Sequence, residues 1–324
     1  MMDIVFMGTA PFAIPSLLHV AQQKDMNLVL VITQPDRTRG RGHKIQFTEF
    51  KKAALSLDVP LYQPENIKSE EAIERIRESK PDFLVVVAYG QILSEEILQL
   101  PGKSAINVHG SLLPKYRGAA PVHWAVMKGE QNTGVCTMHM VKALDAGDII
   151  YSASTEILPE ETTQDIYERL QNKGAELLVK TLRDVYVGDA PRVPQCDEEA
   201  TYAPAITKTD RYIDWFRKGI DIENQVRGLY PKPLAIARYQ NEDYLFTKVE
   251  YQENRPEDVL ERDVLLPGTV GLASPKSGLW IRCYDGWIHI LSLKAPNKKE
   301  MSARDFLSGF KIPVGTIFES EITK

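Results

Sequence analysis

Three short runs, dominated by apolar and mostly branched side chains, constrain this chain more than any other feature. They are Asp3–Met7, Asn27–Ile32 and Pro81–Ala88 (DIVFM, NLVLVI and PDFLVVVA). None alternates polar with apolar residues, as a strand with one wet face would. Each must therefore be covered on both sides, as in a parallel sheet flanked by helices. Between the first two runs, Ala10–Gln22 places Phe12, Ile14, Leu17, Leu18 and Val20 at helical spacing, with Pro11 near its first turn. Strand, helix and strand in that order predict a doubly wound, Rossmann-like α/β sheet. The turn after the first strand holds one glycine, Gly8, followed by Thr-Ala-Pro-Phe. The glycines that let a pyrophosphate approach are absent, which disfavours a dinucleotide site.

Helical patterns are expected over Glu49–Leu57, Ser69–Glu78 (capped by Ser69), Ser94–Leu98, about Ala120–Lys128 and Thr162–Val187. Strands are expected at Leu61–Gln63, Val135–Val141 and Asp148–Ile157. From Asp189 to Pro204 the chain is proline-marked and lacks apolar periodicity, so it reads as a linker. Residues 1–188 would form one domain, 189–204 the linker and 205–324 a second. In that second part, short alternating segments separated by turn residues follow a helix near Asp221–Leu229. That pattern suggests a smaller antiparallel β-barrel, with an OB-like barrel as one form.

The 324 residues carry a net charge of −5, which argues against a protein that coats nucleic acid generally. One stretch departs from that balance. Thr33–Lys52 holds Arg37, Arg39, Arg41, Lys44, Lys51 and Lys52 against Asp36 and Glu49, with Gly40 and Gly42 interrupting any helix. It reads as a basic loop, either a solvated surface segment or a phosphate-contacting arm; the density of cations favours the arm. Cys136, Cys196 and Cys283 are far apart and form no CxxC, which fits a reducing compartment better than a disulfide framework. No signal-like start and no span-length apolar run is present, so a cytoplasmic location is expected.

The chemistry concentrates between Ser104 and Asp145. Asn107 and His109 stand two apart at the end of a short strand, so in extended backbone they project to one side. Asp145 follows about one hairpin later, in the turn-forming sequence Leu144-Asp145-Ala146-Gly147. Singly, each has an ordinary reading: a hydrogen-bonded histidine, a turn aspartate. Together, an amide donor, an imidazole and a carboxylate can stabilise an oxyanion while moving a proton. There is no HxH, HExxH or GxSxG, so metal and serine-nucleophile chemistry are unsupported.

The run Asn107-Val108-His109-Gly110-Ser111-Leu112-Leu113-Pro114-Lys115-Tyr116-Arg117-Gly118, followed by Leu144-Asp145-Ala146-Gly147, resembles the signature of the folate-dependent formyltransferases. The opening FMGTAPFA, the loop TQPDRTRGRGHK and Gly118–Val122 strengthen that resemblance. So do IDWF at 213–216, Gly228–Pro231 and Leu291–Lys294, and the basic loop together with this C-terminal part points to the branch acting on methionyl-tRNA. The resemblance covers essentially the whole chain. It implies a formyl transfer from 10-formyltetrahydrofolate to the α-amino group of methionine on initiator tRNA, without a metal. Asn107 and His109 would hold the oxyanion. Asp145 would pair with the imidazole or a bound water and take up the amine proton. The folate-binding segment would include Ser111, Leu112, Leu113 and Pro114; for the two leucines ordinary packing is compatible with that role. Arg37, Arg39, Arg41 and Lys44 would contact the acceptor stem, Arg41 most firmly. The chain is expected to act as a monomer. A small-molecule amine formyltransferase acting on a glycinamide ribonucleotide or an amino sugar, and a non-catalytic RNA-binding module, stand as alternatives.

Overall fold

In a computed structural model, residues 1–39, 44–254, 256, 257, 259 and 265–320 are described. Contacts group the chain into two compact units. One comprises Met1–Pro121, Asn132–Glu156 and Tyr167–Ala203, the other Val122–Gln131, Ile157–Ile166 and Pro204–Lys324.

The first unit is built on a seven-stranded sheet. Its strands are β1 (Met2–Gly8), β2 (Met26–Ile32), β5 (Leu61–Tyr62), β6 (Phe83–Val87), β7 (Ser104–His109), β8 (Asn132–His139) and β9 (Ile149–Glu156). They lie in the order β5-β2-β1-β6-β7-β8-β9. The first five are parallel; β8 pairs antiparallel with both β7 and β9, so β9 again runs in the direction of the five. Ile4 to Met7 and Phe83 to Val87 are buried throughout, as their unbroken apolar character requires. Helices α1 (Ile14–Ala21), α2 (Glu49–Leu55), α3 (Glu70–Glu78), α4 (Glu95–Leu98) and α6 (Thr163–Val187) accompany the sheet, and Ser69 caps α3 by accepting from the Ala72 amide at 3.3 Å. The order reverses between β1 and β6, because the chain winds outward through β2 and β5 before returning. In open sheets of this kind ligands bind in the crevice outside the carboxyl ends of the strands where the order reverses, here β1 and β6.

The basic segment is more regular than its glycines suggest. Thr38–Arg39 (β3) and Lys44–Ile45 (β4) pair as a small antiparallel hairpin. Residues 40–43, with Arg41 and His43, lie outside the described residues.

The second unit carries α5 (Pro121–Met127) for all but its first residue, α7 (Gly219–Gly228), and an antiparallel sheet. That sheet runs β10 (Ala235–Tyr239), β11 (Glu242–Gln252), β14 (Trp287–Lys294), β13 (Gly278–Arg282) and β12 (Val270–Ser274), with β15 (Met301–Ser302) on β14 and α8 (Ala303–Gly309) following. Its two edges are joined by residues 316–319. The Glu319 amide donates to Arg238 O of β10 at 2.8 Å, and the Val270 amide of β12 donates to Thr316 O at 2.7 Å. This closure makes the sheet a barrel and leaves neither edge open. Trp215, Phe246 and Phe318 fill its interior. The IDWF segment alternates for that reason: Ile213 and Trp215 are buried, Phe216 is exposed.

Candidate functional site

Strand β7 carries Asn107 and His109 to the carboxyl edge of the sheet. Its buried neighbour Val108 faces the other way, against α6, which comes unusually close at Gly174. A Cβ there would stand 3.0 Å from Val108 Cγ1 and 3.2 Å from Val135 Cγ2. Alternation along β7 then leaves Asn107 and His109 on the opposite face. His109 is only 6% exposed, whereas Asn107 is half-buried.

Asp145 meets both residues. Its Oδ1 accepts from Asn107 Nδ2 at 3.4 Å, and its Oδ2 accepts from the Gly118 amide at 2.8 Å. Oδ2 also lies 3.7 Å from His109 Nδ1, close enough for charge pairing though longer than a hydrogen bond. The other imidazole nitrogen, Nε2, is 2.9 Å from Tyr116 O. A carbonyl can only accept, so Nε2 carries a proton and Nδ1 is the nitrogen turned toward the carboxylate. Asp145 holds a left-handed φ of +48°, and Tyr116 one of +60°. Few non-glycine residues adopt this conformation, and it clusters where geometry is enforced by surroundings.

Behind the Asp145 loop, the His139 amide donates to Asp148 O at 2.9 Å, and the His139 ring sits 2.7 Å from Ser104 Oγ. Burial, then the nearby Arg192 charge, hold that imidazole below its ordinary pKa, so it stays neutral and serves as a brace.

The segment Ser111–Pro114 is largely committed to packing. The Ser111 hydroxyl donates to Lys115 O at 2.7 Å. Leu113 is buried against Cys136 and Met138, and Leu112 packs on Gly134. Leu112 and Pro114 stay half-buried.

A cavity of about 600 Å³ opens at the point where the strand order reverses. It is lined by Thr9–Pro11 after β1, Gln34–Arg37 without Asp36, Gln46–Glu49, and Ala88–Gly90 after β6. Arg37 is exposed on its wall. Asp36 is withheld from it by an ion pair with Lys51 and a 3.3 Å hydrogen bond from Gln63. Thr9 Oγ1 donates to Tyr89 O at 2.8 Å, fixing the two strand ends to each other. The Arg39 and Lys44 backbones lie in the hairpin beside this wall in sequence.

Two further residues bear on the Asp145 turn without the sequence having assigned either a role: Arg117, within the signature run, and Gln195, outside it. Gln195 Nε2 donates to the carbonyls of Asp145 at 2.8 Å and Gly147 at 2.7 Å, and Arg117 Nε donates to Gln195 Oε1 at 3.0 Å. Gln195 falls in the proline-marked segment, where no periodicity could single it out. Among the described residues no group of three or more His, Cys, Asp or Glu side chains could hold a metal, and no helix is long and apolar enough to cross a membrane.

This sheet, with an amide, an imidazole and a carboxylate at its carboxyl edge, belongs to the formyl transferase family: residues 2–182 match the formyl transferase domain and residues 205–311 the formyl transferase C-terminal domain. Among its relatives is the methionyl-tRNA formyltransferase of Caldanaerobacter subterraneus subsp. tengcongensis, 41% identical over 322 residues that cover 98% of this chain and 100% of that protein. The fold is also that of WlaRD, a sugar 3N-formyl transferase solved with dTDP and 5-N-formyl-THF (TM-score 0.63, 18% identity, 92% of this chain and 99% of that one). It is similar as well to HypX from Aquifex aeolicus, solved with tetrahydrofolic acid (TM-score 0.61, 18% identity, 94% of this chain). The chain spans about half the length of that HypX chain, 47% of it.

Proposed function

We propose that this chain transfers the formyl group of 10-formyltetrahydrofolate to the α-amino group of methionyl initiator tRNA. The observation that carries this reading is Asp145 held at once by Asn107 Nδ2 and the Gly118 amide while facing His109 Nδ1. Full-length likeness to methionyl-tRNA formyltransferases supplies the acceptor. Asn107 retains a second amide hydrogen for the formyl oxygen as negative charge develops there. Since Tyr116 occupies Nε2 of His109, the imidazole contributes through Nδ1–H when protonated, with Asp145 balancing its charge. Asp145, directly or through a water, accepts the proton lost by the attacking amine. That proton finally replaces the formyl group on N10 of the donor substrate.

Ser111–Pro114 would meet the folate through its backbone and the half-buried Leu112 and Pro114, because Ser111 and Leu113 are spent internally. The cavity at the reversal point would take the aminoacyl end of the tRNA. Pro11, Pro35 and Phe47 offer it apolar surface, and Arg37 offers charge to the terminal phosphates. Arg39, Arg41 and Lys44 would extend that charge along the acceptor stem. In this reading residues 1–188, braced by the segment through Ala203, carry the chemistry and 205–324 bind RNA, in a monomeric cytoplasmic enzyme.

The test is one assay in which 10-formyltetrahydrofolate is offered methionyl initiator tRNA, methionyl elongator tRNA or glycinamide ribonucleotide. Transfer to the initiator tRNA in strong preference to the other two is expected. Absence of that transfer overturns the proposal, and preference for the ribonucleotide replaces it with a small-molecule enzyme.

A further inference from the structure

We infer that Gln195 and Arg117 are positioning residues that hold the Asp145 carboxylate in its working orientation. This inference rests on the reading of Asp145 given above and deepens it.

Every polar atom of the Gln195 amide is used. Its two hydrogens go to Asp145 O and Gly147 O, two carbonyls of the same turn, at 2.8 and 2.7 Å. Its oxygen accepts from Arg117 Nε at 3.0 Å. Arg117 is 4% exposed, and its Nη2 reaches out to Asp197 at 2.8 Å. The amide is thus locked in one rotamer and one flip state: reversing it would set its oxygen against two carbonyls and its NH2 against a guanidinium.

The same arginine fixes the opposite wall through its backbone. The Arg117 amide donates to Thr201 O at 2.8 Å, and the Ala203 amide donates to Arg117 O at 2.7 Å. The Tyr116 amide donates to Thr201 Oγ1 at 2.9 Å. Arg117 sits between Tyr116, whose carbonyl engages His109 Nε2, and Gly118, whose amide engages Asp145 Oδ2. One Arg–Gln pair therefore joins the loop that supplies the backbone partners of His109 and Asp145 to the loop that supplies Asp145 itself. The join falls where it is needed, because Tyr116 and Asp145 are the two left-handed non-glycine residues of these loops. A left-handed non-glycine residue persists where its surroundings over-determine it, and a change of the Asp145 backbone would swing its carboxylate off Gly118 and away from His109. Gln195 holds the Asp145 carbonyl.

The test compares Gln195→Ala, Gln195→Glu and Arg117→Lys in the full-length enzyme, in the native and Asp145→Ala backgrounds. Gln195→Glu keeps the shape of the side chain while turning both donors into acceptors, and it serves if the alanine variant folds poorly. A shift of about 1 Å at a reacting group costs on the order of 100-fold in rate. For Gln195→Ala and Gln195→Glu, kcat is therefore expected to fall by roughly 30-fold or more, with KM for donor and tRNA within about threefold of native. Arg117→Lys is expected to fall between these and native. In the Asp145→Ala background the same changes should cost less than about threefold further, because the group they position is gone. A structural role alone would multiply through both backgrounds. Native-like kcat in the Gln195 variants, or equal losses in both backgrounds, overturns the positioning role while Asp145 keeps its own. Native kcat in Asp145→Ala overturns the reading of Asp145 and the positioning role with it.

Discussion

Among the described residues Asn107 places one amide hydrogen on Asp145, and the second is available to a substrate oxygen. A donor preset at the site of developing charge acts mainly on the transition state, since it need not reorganise when the charge appears. Replacing Asn107 with Ala is expected to lower kcat by about 100- to 1000-fold, with KM for either substrate nearly unchanged. Single-turnover rates at saturating donor would measure it; a raised KM at native kcat would make Asn107 a binding residue only. At this scale the sequence was informative about identity and weak about geometry. Asn107, His109 and Asp145 could be picked out by type, spacing and resemblance. Which imidazole nitrogen faces Asp145 depends on the Tyr116 carbonyl, and that depends on a left-handed φ at a residue whose type does not announce it. Gln195 was illegible for a related reason. Its role arises from contacts 48 and 50 residues away in sequence, within a stretch having no periodic pattern.

The elements were legible where burial imposes a period. The two-sided burial of β1 and β6 is written in their apolar runs, and the cap of α3 in Ser69. Elements set by pairing alone were not. The β3–β4 hairpin has two residues per strand and glycines between them, so its sequence reads as loop. The barrel-closing segment 316–319 has no alternation to betray it either, yet it joins both edges of the second sheet. Phe318 anchors that closure: it is 1% exposed and packs on Trp215, Tyr239, Tyr244 and Phe246. Truncating a buried phenylalanine typically costs about 3–5 kcal/mol through lost transfer energy and the cavity left behind. Phe318→Ala is expected to destabilise the barrel by about that amount, read as a lower denaturant midpoint at unchanged slope. A loss below about 1 kcal/mol would show that the closing segment is dispensable.

At the scale of the molecule, the two units are not simple halves of the chain. The second unit takes Val122–Gln131 and Ile157–Ile166 from within the sequence that otherwise builds the first. Those insertions are bonded to the C-terminal part by specific contacts. Trp124 Nε1 donates to Pro204 O at 2.8 Å, Thr163 Oγ1 to Gly228 O at 2.7 Å, and Arg227 Nη1 to Glu161 O at 2.8 Å. Met127 belongs to the barrel-side core with Ile213, Trp215 and Val226, and a Cβ on Gly228 would overlap it. A chain cut after Pro204 would keep α5 and the start of α6 but lose everything their apolar and polar groups are matched to. Met127 would be left in water, and the Thr163 hydroxyl and Glu161 carbonyl would lose Gly228 and Arg227 as partners. The expected outcome for residues 1–204 is an aggregating or loosely packed product, whereas a catalytic half ending at a true linker would stay monomeric and folded. Size-exclusion chromatography and dye binding to exposed apolar surface would separate the two. A monomeric, cooperatively unfolding 1–204 fragment would show that the interleaved segments add little to either unit. In that case the acceptor preference of the fragment would report directly on what residues 205–324 contribute. If the fragment collapses, that contribution has to be measured in the full chain by substitutions on the barrel surface.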